Sequence, residues 1–90
     1  MALEFVGIDP NTGQSGSPTA WVDTETADIV LQSYTADEAT RAQCVEGTAP
    51  GHAKGIPAHE TVIRVPVHLI HLLREACDAA ERRAELQRPA

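Results

Sequence analysis

Between Pro66 and Ala84 apolar residues recur every three or four positions. On a helical wheel, Leu69, Ile70, Leu73, Ala76, Cys77, Ala80 and Ala84 fall within one arc of about 120°, with Leu72 at its margin. His68, His71, Arg74, Glu75, Asp78, Glu81, Arg82 and Glu85 fill the other side. That pattern predicts a one-faced helix. Pro66 suits its first position, where a missing N–H leaves no bond unmade. The same proline pushes Val65 toward extended geometry, so a strand over residues 60–65 should end where the helix begins.

Upstream the period shortens to two. Residues 3–8 are a short apolar run closed by the turn cluster Asp9-Pro10-Asn11-Thr12-Gly13, a first strand, and residues 14–18 continue as a polar loop. Residues 19–22 and 28–34 flank the polar stretch Asp23-Thr24-Glu25-Thr26-Ala27 and predict a hairpin. Alternation sets Ile29, Leu31 and Ser33 on one face and Val30, Gln32 and Tyr34 on the other. Thr35 and Glu38 have capping-box spacing, which opens a short helix over residues 39–45 stopped at Gly47. Residues 47–57, with three glycines and two prolines, read as a loop. The expectation is an α+β fold: a small, mainly antiparallel sheet of about four strands, one short helix, and one long C-terminal amphipathic helix packed on the sheet. Residues 1–86 form one domain in this reading and residues 87–90 a flexible tail.

Charge changes the picture more than length does. The net charge of the 90 residues is −6, and it is uneven: residues 1–60 hold nine acids against Arg41 and Lys54, residues 61–90 four acids against five arginines. An acidic body without a basic stripe repels phosphate backbones, which argues against direct nucleic-acid binding and leaves a basic protein partner open. With no basic, apolar leader and no apolar run of ~18–20 residues, a cytoplasmic protein is expected, neither exported nor membrane-bound. Phe5, Trp21 and Tyr34 are the only aromatic residues. A thin core of this kind invites completion by a partner or a second copy, so a homodimer is one expectation. Cys44 and Cys77 are expected to be reduced and buried.

Candidate chemistry is sparse. Cys44, His52, His59, His68, His71 and Cys77 are metal-ligand types, yet only His68 and His71 form a close pair, on the polar face of the helix, away from Cys77. Asp9, Asn11 and Gly13 hint at a calcium loop, but the glycine is one position early and Ala20 stands where the bidentate glutamate belongs. Lys54 in its glycine-rich stretch lacks the spacing and the following Ser/Thr of a phosphate loop. Acid–base work would need Asp9, Asp37, His52 and His59 to converge. No catalytic residue, cofactor or metal ligand is therefore assigned, and the chain is expected not to be an enzyme. The expected partner surface is the acidic hairpin, Asp23, Glu25 and Asp28, with Trp21, or the open sheet face with Val30 and Tyr34. Trp21 counts as core filler if that face is covered and as a contact residue if it is not. Two alternatives stand beside this one: a small-ligand or metal-binding domain using His52 and His59 of the Gly/Pro loop, and an antitoxin-like neutraliser of a neighbouring gene product.

Four strings across residues 3–78 carry a likeness: Phe5-Val6-Gly7-Ile8-Asp9-Pro10-Asn11-Thr12, Ser17-Pro18-Thr19-Ala20-Trp21-Val22-Asp23, Ile63-Arg64-Val65-Pro66 and Leu73-Arg74-Glu75-Ala76-Cys77-Asp78. On these the chain resembles small proteins of Streptomyces and related actinobacteria encoded near helix-turn-helix regulators of the WhiJ type. The resemblance implies a cytoplasmic accessory protein that binds and tunes a DNA-binding regulator in development or antibiotic production. It carries no catalytic motif.

Overall fold

The computed structural model describes residues 2–11 and 17–88. Most of the expected polar loop, Gly13 of the calcium-like spacing and the last two residues of the tail lie outside that range. In chain order the elements are β1 (Leu3–Ile8), β2 (Thr19–Asp23), β3 (Ile29–Gln32), β4 (Tyr34–Thr35), α1 (Glu38–Glu46), β5 (Ile63–Arg64), a 3₁₀ turn (Val67–Leu69) and α2 (Ile70–Gln87). The fold is α+β, as the pattern predicts. The chain divides into two compact units, residues 1–33 with 65–90, and residues 34–64.

The larger unit is an antiparallel sheet in the order β1-β2-β3 with α2 on one face. Its hairpin turn is built from the polar stretch between β2 and β3. One carboxylate oxygen of Asp23 accepts from the backbone N–H groups of Glu25 at 2.8 Å and Thr26 at 3.3 Å, and the backbone of Asp23 donates to the carbonyl of Asp28. Closing the turn puts Ala27 at φ +67°, a conformation that disfavours a side chain. Ala20, Leu69, Leu72 and Ala76 form the buried cluster, with Val6, Leu31 and Val65 packed against it. The two leucines contribute roughly 1.5–3 kcal/mol each by burial. At its far end α2 is tied down by Arg83, which donates to Glu4 at 3.0 Å, and by Gln87, which donates to the Thr24 carbonyl at 2.7 Å. Gln87 therefore belongs to the helix and not to a tail.

The helix is turned relative to the expected arc. Its buried residues are Leu72, Ala76 and Ala79, following Leu69, whereas Ile70, Cys77 and Ala84 are exposed. The wheel alone weighs every apolar position equally, but a flat sheet covers only part of a wide apolar arc. Here it covers the edge that includes Leu72. Cys77 is consequently a solvent-facing thiol, and so is Cys44, because α1 buries no residue; both are free, and both depart from the expected burial. Pro66 has ψ 145°, so it precedes the helical segment, which starts with the 3₁₀ turn at Val67.

The smaller unit holds the remaining strands. Of residues 60–65 only Ile63 and Arg64 are strand, and they pair with Thr35 and Tyr34 in a separate two-stranded antiparallel sheet. The N-cap of α1 is Asp37 rather than Thr35, which is occupied in β4; the Asp37 side chain accepts from Thr40 N at 2.8 Å. Hydrogen bonds from the Thr40 hydroxyl and amide, with a smaller contribution from the Arg64 charge, hold the Asp37 carboxyl below its ordinary value of 3.8. A lowered carboxylate value favours the folded state above 3.8, and that contribution is lost as the pH falls through the lower folded value. Asp37→Asn should therefore flatten the acid limb of α1 unfolding, followed by circular dichroism from pH 6 downward, and leave neutral-pH helicity nearly unchanged because Asn also caps well.

Candidate protein-interaction face

Strand β2 decides which residues share a face. Its even positions, Ala20 and Val22, are fully buried on the α2 side. Its odd positions point the other way. There Trp21 lies between Phe5 of β1 and Val30 of β3, its Cα partners in the two ladders. The result is an apolar row across all three strands.

A bulge in β1 enlarges the row. The register shifts between Phe5 and Gly7, so Val6 packs on the core and Gly7 meets Leu72, two successive residues on the helix side. Ile8 is thereby returned to the Phe5 side, opposite Thr19. Leu3, opposite Asp23, completes the β1 contribution. Phe5 is 59% exposed, Ile8 50% and Leu3 44%; Trp21 and Val30 are half-buried. Isolated exposed apolar side chains are ordinary, but three exposed ones beside the half-buried Trp21 and Val30 on one sheet face form a patch of the sort found at contact surfaces.

The expected site residues separate on this framework. Trp21 and Val30 come together as a cross-strand pair. Asp23 lies at the rim but is 8% exposed, its carboxylate used by the turn. Glu25 and Asp28 are exposed at the hairpin end of the same sheet. Tyr34 is exposed on β4 and belongs to the two-stranded sheet, since Ser33 interrupts the long strand expected over residues 28–34. Leu3, Phe5 and Ile8 were not among the expected contact residues. For Phe5 a signal was present, an aromatic on an edge strand; for Ile8 there was none without the bulge.

A second constellation joins the end of β1 to the 3₁₀ turn. Asp9 is buried, accepts from Asn11 N at 3.0 Å, and sits 3.0 Å from Nε2 of His68. The Asn11 amide, more than the imidazole, holds the Asp9 carboxyl below 3.8 against the opposing effect of burial. The pair can orient an imidazole, and it fastens the turn after β1 to the 3₁₀ turn. In the smaller unit a concavity of about 550 Å³ is lined by His52, Lys54, Pro57 and Glu60 among others and opens widely to solvent. His59 is not in its wall and instead lies 3.7 Å from Glu60. Among the described residues no three His, Cys, Asp or Glu side chains converge as metal ligands would, and no helix is long and apolar enough to cross a membrane. No protein-family model, curated protein or solved structure matches the chain.

Proposed function

We propose that the protein is a non-catalytic, cytoplasmic accessory protein that works by protein–protein contact through the face opposite α2. The observation that carries this reading is the apolar row Phe5–Trp21–Val30, with Phe5, Leu3 and Ile8 exposed along β1. A half-buried tryptophan flanked by an aromatic and an aliphatic side chain has the composition of a binding hot spot. The acidic charge of residues 1–60 favours a positively charged partner and speeds encounter with it. DNA-binding proteins carry such charge, and a helix-turn-helix regulator, the partner implied by the sequence resemblance, fits both requirements.

The test is titration of a purified helix-turn-helix regulator of the WhiJ type, the partner implied by the resemblance. Phe5→Ser should weaken binding at least about tenfold, the loss of one well-packed aromatic anchor, while leaving circular dichroism and unfolding nearly unchanged. Equal affinity for wild type and Phe5→Ser would remove this face from the contact. Binding of a neighbouring gene's toxic product at the same face, with the regulator ignored, would favour the antitoxin-like reading.

A further inference from the structure

The sheet leaves one flank of α2 uncovered, and that flank has a regular spacing. Ile70, Leu73, Cys77, Ala80 and Ala84 follow one another at intervals of three and four residues, the repeat by which two helices pack along a seam. Ile70 is 45% exposed, Cys77 and Ala84 are exposed, and Leu73 and Ala80 are half-buried. This surface is separate from the sheet face assigned above and is independent of that assignment.

We infer that the flank pairs with a second copy of the same chain, α2 against α2 in antiparallel orientation about a two-fold axis between Cys77 and Asp78. The occupant follows from the charges beside the seam. Arg74 and Glu81 border it on the side away from the sheet, and they lie at equal sequence distances from the midpoint of Cys77 and Asp78. In an antiparallel pair these positions oppose each other, so Arg74 of one copy meets Glu81 of the other, and the two-fold axis repeats the contact. A parallel pair would not bring them together. The small side chains at positions 77, 80 and 84 let the helix axes approach to about 8–9 Å. With Cα atoms ~2.3 Å from each axis, the two copies of Cys77 then face each other about 4–5 Å apart, within reach of a disulfide.

The experiment is sedimentation equilibrium of the untagged protein at up to about 200 µM under reducing conditions, with charge-reversed variants that leave the buried face untouched. Wild type should approach twice the 9.6 kDa of one chain. Arg74→Glu and Glu81→Arg should each weaken association about tenfold by setting like charges opposite one another twice, and the double variant should recover it. Cys44→Ala protein treated with diamide should give a covalent dimer, and adding Cys77→Ala should abolish it. A wild type that stays monomeric overturns the inference. So does a dimer that is indifferent to both single charge reversals, or one whose double variant is no tighter than the singles.

Discussion

Leu69→Ala is expected to destabilise the larger unit by about 2–5 kcal/mol, whereas Ile70→Ala, one residue along, should change stability by less than ~1 kcal/mol. The two side chains are similar in volume and both fall in the apolar arc of the helix. They differ in what touches them: Leu69 is fully buried in the cluster with Ala20, Leu72 and Ala76, and Ile70 is 45% exposed. Truncating Leu69 loses its transfer free energy and leaves a cavity that neighbouring strands fill only in part. A domain of this size is stable by about 5–10 kcal/mol, so the variant should unfold at a much lower urea midpoint. An unchanged denaturant slope would show that the native and unfolded ensembles are otherwise the same. Equal losses for the two variants would mean that the helix is rotated from an orientation that buries Leu69, Leu72 and Ala76.

Gly7→Ala is the second large effect, expected at about 1–3 kcal/mol from overpacking. A Cβ on Gly7 would stand 2.6 Å from Cδ1 of Leu72, a contact that no real pair sustains. The atom in the way is the end of a flexible side chain, but Leu72 is itself buried and its rotation displaces its neighbours. Shortening Leu72 should relieve the clash. Leu72→Ala alone costs about 2–5 kcal/mol, and the double variant should cost clearly less than the sum of the two, because the sites touch. Strict additivity in urea unfolding would mean that β1 and α2 do not meet at this point.

Both predictions depend on features only partly visible in the chain. The hairpin, the short helix ending at Gly47 and the long C-terminal helix follow from local pattern, because turn residues, caps and periodicity act over a few positions. Three other features are settled over distance. The turn of α2 about its axis depends on which edge of a wide apolar arc the sheet covers, and Leu72 and Ala79 win over Ile70 and Cys77. The bulge at Phe5–Gly7 depends on Leu72 approaching a residue without a side chain, and it moves Ile8 to the other face. The division of the strands depends on Ser33 breaking the run, after which Tyr34 pairs with Arg64. Of the candidate site, Trp21 and Val30 were legible from alternation alone. Phe5 and Ile8 needed the register. The Asp9–His68 contact joins residues far apart in sequence and left no local trace.

Trp21 is the only tryptophan in the chain and stands in the middle of the apolar row, so its fluorescence reports directly on whether that face is where contact is made. The measurement is emission and acrylamide quenching of Trp21 in the full chain, titrated with a tryptophan-free form of the proposed partner, a helix-turn-helix regulator of the WhiJ type. The account predicts saturable binding with a blue-shifted spectrum and loss of quencher access, both reduced in Phe5→Ser. Absence of binding, or binding that leaves the Trp21 spectrum and quenching unchanged, would contradict it.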